Sequence, residues 1–338
     1  MKASIQLLSI SLLITLLASC TQPKQFQYNE GYIFGTVYHF TYEHSEDIQP
    51  ELVAELRKID HALSMFNANS ILSQINQHDT SAFDLAPTPW VYRVILRSLE
   101  LSKSTQGAFD ITVAPLVNAW GFGYEKAADI QTEYLDSIRS FVGYKKLLLQ
   151  DRILYKKDAR IQLDASAIAK GYACDLIAEH LRSKGCNNFL VEIGGELVMQ
   201  GHNPKKSNWR VGINKTVDDS SSTNMEWEEK LELTDKAMAT SGNYRRFYIR
   251  DGKRYAHTID PRTGYPVQHS LLSATVLASD CLTADALATA FMVMGLEEAI
   301  QYTEAHPEIE SLLIYSLDET QHAIYASKGI AALQASKE

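Results

Sequence analysis

Apolar residues recur at three- and four-residue spacing in several stretches of this chain, and each such stretch predicts a helix. Leu52, Leu56, Ile59 and Leu63 mark one over about 50–65. A polar loop at 66–70 leads into a short helix ending near Asn76, and Pro89 opens another that reaches Ser104. From Asp164 onward, Ile168, Tyr172 and Leu176 share helical spacing with Ala169, Ala173, Ile177 and Leu181, until Gly185 supplies a C-terminal stop. A further helix is expected over 282–294, ended by Gly295. Strand patterns lie between these helices. They cover 33–42 (interrupted early by Gly35-Thr36), 189–193 and 196–200 joined by Gly194-Gly195, 209–214, and 273–278. Segments 245–250 and 254–258 flank Asp251-Gly252, a hairpin signal. Segment 217–229 is acidic, serine-rich and aperiodic, and reads as an exposed loop. The tail reads as helix, strand, strand. The order predicts an α+β fold with several hairpins, without regular βαβ alternation. Two substructures are compatible with it, with no clean linker between them.

The first residues stand apart from this pattern. Lys2 precedes an apolar run over 5–17 that is short for a bilayer span, ending in Leu17-Ala18-Ser19-Cys20. That ending looks like a bacterial lipobox. It predicts a signal peptide over 1–19, lipidation at Cys20, a polar tether over 20–30 and one folded domain over 31–330. The expected location is the cell envelope, lipid-anchored at the periplasmic face of the inner membrane. The 338 residues are 45 % hydrophobic and 22 % charged, ordinary for a globular protein. A net charge of −9 with no basic stripe argues against nucleic acid as a partner. Apart from Cys20, Cys174, Cys186 and Cys281 lack metal-type spacing and allow at most one disulfide, with buried free thiols expected.

Candidate chemistry sits in a few segments. Asp285 and Thr289 lie four apart, so both project from one helix face and offer oxygen ligands to a hard cation. The same spacing also fits a small-residue packing face. In Asp164-Ala-Ser-Ala-Ile-Ala-Lys-Gly-Tyr-Ala-Cys-Asp175, Asp164 or Ser166 can cap the helix, and Lys170-Gly171 follow. A well-capped amphipathic helix explains that segment equally well. The segment Tyr255-Ala-His-Thr-Ile-Asp-Pro-Arg-Thr-Gly-Tyr-Pro266 packs His257, Asp260 and Arg262 between prolines and a glycine, as stiff binding loops do.

Taken together, LDASAIAKGYACD, EIGGE, ATSGNYRRF, YAHTIDPRTGYP and TADALATA follow GTVY, LSMFNANSILSQIN and GAFDITVAPLVNAWGFG in one order. This ensemble resembles the ApbE family of FAD:protein FMN transferases, many of them periplasmic lipoproteins, from about residue 33 to Gly295. The resemblance implies mainly antiparallel sheets with packed helices around an FAD site. It implies FAD as bound substrate, Mg²⁺ as cofactor, and transfer of FMN to a threonine or serine of an acceptor flavoprotein with release of AMP. Asp285, Thr289 and the carbonyl of Ala167 are then the metal ligands, with Leu282 at a position often acidic. FAD contacts fall on Phe34, Phe66, Ala108, Phe109, Asp110, Asp164, Lys170 and Ile259. Phe34 replaces a frequent methionine and Phe66 a frequent tyrosine. His257 is the candidate general base, a role suited to a neutral imidazole. Two other readings share these residues: an FAD pyrophosphatase, and a flavin-binding lipoprotein without catalysis.

Overall fold

Period-two alternation buried on both faces of one sheet positions everything else. The computed structural model describes residues 23–77, 81–123, 132–214, 227–243, 247–250, 253–318 and 321–335. Among these, the central sheet has eight strands: β1 (Gln25–Ile33), β2 (Thr36–His44), β3 (Phe189–Ile193), β4 (Glu196–Gln200), β5 (Lys236–Gly242), β6 (Leu271–Ala278), β7 (Glu310–Ser316) and β8 (His322–Ala326). Their spatial order follows the chain, and every neighbouring pair is antiparallel. Val198, Ala237, Ala239, Val276 and Leu313 face the larger core. Leu197, Met199, Met238, Leu277, Leu312 and Ile314 face the opposite side.

The larger core is closed by α1 (Gln49–Leu63), α2 (Pro89–Ser104), α3 (Ala169–Ser183) and α4 (Cys281–Met294). The residues that predicted α1, namely Leu52, Leu56, Ile59 and Leu63, are all buried there. The opposite face is covered by a hairpin of Trp209–Asn214 with Trp227–Leu233 and by Ile330 of the helix Lys328–Ala335. A smaller cluster joins Leu116, Trp120, Ile138 and Phe141 to Ile259.

Helix α4 is the most enclosed element. Ala284, Ala286, Ala288 and Ala290 are fully buried, and their small side chains let α4 lie against β5, β6 and α3. Its first amides are taken up by two carboxylates: Asp280 accepts from Thr283, and Asp175 of α3 accepts from both Cys281 and Leu282 at 2.8 Å. The start of α4 is thereby fastened to the middle of α3.

Several expectations change. The segment read as tether contributes β1, whose Tyr28, Glu30 and Tyr32 are solvent-facing. With so little apolar alternation, its pairing with β2 defines it and the hydrophobic pattern does not. The helix expected from Asp164 begins at Ala169, after a non-helical Ile168 that makes no side-chain cap. Asp164 instead accepts the amide of Ser166. Residues 227–229 belong to a strand, against the loop expected there. The three-stranded sheet of Ala82–Asp84, Leu147–Gln150 and Ile153–Lys156, and the helices Thr132–Arg139 and Lys328–Ala335, were not foreseen. Cys174, Cys186 and Cys281 are free and buried. The signal segment 1–19, Cys20, the Asp251-Gly252 turn and loop residues 217–226 lie outside the described residues. Among the described residues, no helix is long and apolar enough to cross a membrane.

Candidate active site

The site is built at one end of the central sheet, where α3 and α4 cross. Asp285 is 3 % exposed, and its Oδ2 accepts the amide of Gly171 at 3.0 Å. In an uninterrupted helix that amide would bond the carbonyl of Ala167. Ala167 precedes α3, and among the described residues the Gly171 amide, one of the first of that helix, is given to Asp285 and not to the Ala167 carbonyl. Only glycine permits this crossing: a Cβ at position 171 would run into the Cys281 carbonyl and stand 2.8 Å from the Asp285 Cβ.

Lys170 precedes that glycine and forms an ion pair with Glu196, the first residue of β4. Burial works to lower the Lys170 pKa, but the carboxylates of Asp285 and Glu196 outweigh it and hold the group charged. Burial pushes the Glu196 carboxyl up to about 7, with Lys170 opposing and Asp285 adding to the rise. Glu196 Oε2 is buried with no hydrogen-bond partner among the described residues.

One turn beyond Asp285, the Thr289 hydroxyl meets Ser241 Oγ of β5 at 3.1 Å. Just past β5, Asn243 Oδ1 accepts from Thr258 Oγ1 at 2.8 Å. His257, beside Thr258, is thus tied to the strand end that also holds Thr289. The His257 ring lies edge-on to Phe122, with centroids 6.4 Å apart. The loop that follows is fixed at many points. Asp260 accepts the Gly264 amide through its carbonyl and the Arg262 backbone amide and guanidinium through its carboxylate. Trp120 Nε1 donates to the Gly264 carbonyl at 2.8 Å. Arg262 also pairs with Glu298, so its charge is engaged within the loop's own support. Ile259 is buried against Trp120 and Leu116.

The segment 108–110 joins the same region, since the Asp164 amide donates to the Ile111 carbonyl at 2.7 Å. Ala108 and Phe109 bury their side chains in the main core. The Asp110 carboxylate accepts from the Thr112 amide and hydroxyl and from the Tyr144 amide. Burial raises its pKa against those bonds. The side chains of 108–110 are therefore engaged within the fold, and the amides of Ala108 and Phe109 donate to Thr105. Phe66 is different: at 84 % exposed it is the most exposed large apolar side chain described, on a loop held by Ser64 Oγ. Phe34 and Gly35 form the two-residue turn between β1 and β2, with φ of 53° and 73°.

The arrangement brings Asp285 to the Gly171 amide next to Lys170, sets Thr289 one turn further along α4, and ties the His257 loop to the same region through the end of β5. Glu196, Ser241, Asn243 and Phe122 join them without having been singled out, although EIGGE, ATSGNYRRF and the segment ending in GFG contain them. Among the described residues no group of three or more His, Cys, Asp or Glu is gathered as for a metal. A site of one carboxylate, one hydroxyl and one carbonyl lies outside that pattern, and its all-oxygen donor set fits a hard cation such as Mg²⁺.

Comparison with known proteins agrees with this geometry. The chain is 38 % identical to a FAD:protein FMN transferase of Vibrio cholerae over 314 residues, covering 90 % of this chain and 92 % of the relative. It is 34 % identical to a FAD:protein FMN transferase of Haemophilus influenzae, covering 93 % of each. The solved flavin transferase ApbE from Vibrio cholerae superposes with a TM-score of 0.82 at 36 % identity, covering 92 % of this chain and 100 % of that one. The apo flavinyl transferase ApbE of Pseudomonas stutzeri gives 0.81 at 31 % identity, covering 92 % and 97 %. The profile of the ApbE family matches residues 34–313, and the chain belongs to that family.

Proposed function

We propose that this protein is a Mg²⁺-dependent FAD:protein FMN transferase that attaches FMN through a phosphoester to a threonine or serine of an acceptor protein. The observation that carries the reading is the meeting of the His257 loop and the Asp285–Thr289 helix at the end of β5, through Thr258–Asn243 and Ser241–Thr289. That meeting would hold a base near a set of oxygen donors, as phosphoryl transfer requires.

Asp285, Thr289 and the Ala167 carbonyl would hold the cation. When bound, it supplies charge neutralisation at the FAD pyrophosphate. His257 accepts the proton of the acceptor hydroxyl as that oxygen bonds the phosphorus on the FMN side. The bond from that phosphorus to the bridging oxygen breaks, and AMP leaves with the bridging oxygen. The protein contributes mainly position and charge. The rigid loop sets His257, Ile259 offers an apolar wall, and Lys170 adds positive charge near the anionic substrate. Phe34 and Phe66 supply aromatic surface for the flavin and keep water from the phosphorus.

The acceptor would be a redox protein subunit at the envelope, reached by a transferase anchored through acylated Cys20. Loss of membrane association and of fatty-acid labelling in Cys20→Ser tests the anchor. The activity is tested by incubating the protein with FAD, Mg²⁺ and a threonine-bearing acceptor domain. Flavin fluorescence on the denatured acceptor, lost on chelation and restored by Mg²⁺, supports transfer. Free FMN and AMP without labelled protein would make it a pyrophosphatase, and tight FAD binding without turnover would leave a flavin carrier.

A further inference from the structure

Lys170 stands between two carboxylates that serve different ends. One is Asp285, whose charge raises the Lys170 pKa and whose Oδ2 is one residue away on the Gly171 amide. The other is Glu196, which forms the ion pair with Lys170. Both carboxylates are buried, with 3 % exposure each. An ammonium that bonded Asp285 would take the same lone pairs that a divalent cation needs. A Lys170 ammonium turned toward Asp285 would rival the cation for that carboxylate, and the ion pair holds it on Glu196 instead.

We propose that Glu196 is a positioning residue: it draws the Lys170 ammonium away from Asp285 and so keeps Asp285 open to the divalent cation. The inference rests on the metal reading of Asp285 and Thr289 given above. Its basis is the placement of Glu196. As the first residue of β4 it follows Gly194-Gly195, a two-glycine turn with φ of 64° and 102° that fixes the strand's start. Its backbone carbonyl accepts the Cys174 thiol of α3 at 3.3 Å, which pins the strand to the helix carrying Lys170. Its Oε2 has no partner among the described residues, so Lys170 is the group that compensates this buried charge. A carboxylate so costly to bury is explained by what it does to its neighbour.

The test is a titration of the full-length chain with Mn²⁺, followed by the electron paramagnetic resonance signal of the free ion, with and without FAD. Glu196→Gln keeps the shape of the side chain and removes its charge. The ammonium then turns to Asp285, and Mn²⁺ affinity falls by about tenfold or more. Lys170→Met in the same protein removes the rival, and the double variant recovers affinity to within about threefold of wild type. That recovery separates the proposal from a structural or ligating role of Glu196, either of which would leave the double variant weak. Thermal unfolding of the metal-free variants checks that all are folded. Wild-type affinity in Glu196→Gln, or a double variant as weak as the single one, overturns the proposal. Equal Mn²⁺ binding by wild type and Asp285→Asn would instead overturn the metal reading itself.

Discussion

The amide of Gly171 donates to the Asp285 carboxylate at 3.0 Å, across a helix crossing that joins positions 114 residues apart. This single bond orients the carboxylate and satisfies one of the first amides of α3, which has no partner within the helix. The crossing is close because both sides are small, glycine on α3 and a run of alanines on α4. Gly171→Ala should therefore act as an overpacking substitution beside the site. It should destabilise the fold by about 1–3 kcal/mol, seen as a lower Tm, and reduce turnover more than stability alone explains. A variant with wild-type Tm and rate would show that the crossing has slack.

Thr289 offers one hydroxyl, which Ser241 meets from β5. Thr289→Val keeps the shape and removes the oxygen, and should raise the Mg²⁺ concentration needed for half-maximal turnover by about tenfold or more. Thr289→Ser should stay near wild type. Ser241→Ala should have a smaller effect, since it orients the hydroxyl without supplying it. Equal losses in Thr289→Val and Ser241→Ala would mean that the pair is structural.

His257→Ala separates base chemistry from binding. The loop around it is held by Asp260, Arg262, Trp120 and Thr258. FAD affinity should stay within about threefold of wild type, while transfer falls by at least about a hundredfold. Retained transfer would remove His257 from the proton step. A large loss of FAD affinity would assign it to binding.

Much of this was legible in the chain, and the exceptions have physical causes. The helices α1, α2, α3 and α4 announce themselves because each buries one face or nearly all of its surface. Strand β1 does not, because it is an edge strand with Tyr28, Glu30 and Tyr32 toward solvent and only Asn29 buried. Asp285 and Thr289 could be chosen because their residue types match a chemistry at four-residue spacing, and His257 because the ensemble of motifs resembles the ApbE family. Glu196 and Ser241 could not, since their meaning comes from partners on other elements: Lys170 across α3 and Thr289 48 residues away. The role of Asp110 also changes in three dimensions. Its carboxylate organises its own loop through Thr112 and Tyr144, which no spacing reveals.

The carboxylate that fastens α4 should also give the fold a pH signature. Burial raises Asp175 from 3.8 to about 7, against the amide bonds from Cys281 and Leu282. With the folded pKa above the unfolded one, the folded state binds more protons between those values. The contribution to stability is full below about 4 and is lost as pH rises through about 7. The Tm of the metal-free protein should therefore fall from pH 5 to pH 8. Asp175→Asn should be less stable at pH 5, having lost one acceptor, yet show a shallower slope over that range. An unchanged slope would show that Asp175 ionises in the fold as freely as in water.

The turn at Phe34-Gly35 gives the last prediction. A two-residue hairpin with positive φ at both positions favours Asn-Gly, because asparagine tolerates the left-handed region at little cost. Here the first position is a phenylalanine at φ 53°, a conformation that bulky side chains rarely adopt. Its ring is only partly buried against the main core, so packing offers limited return for that strain. Strain kept at a loop tip is explained by a task for the ring. Phe34→Asn should leave Tm unchanged or raise it by relieving about 1 kcal/mol of backbone strain. The same variant should bind FAD at least about fivefold more weakly, since it loses an aromatic surface. Thermal unfolding and FAD fluorescence titration on one preparation decide the matter. A drop in Tm with unchanged FAD affinity would make Phe34 a packing residue and return the strain to the ordinary cost of closing this hairpin.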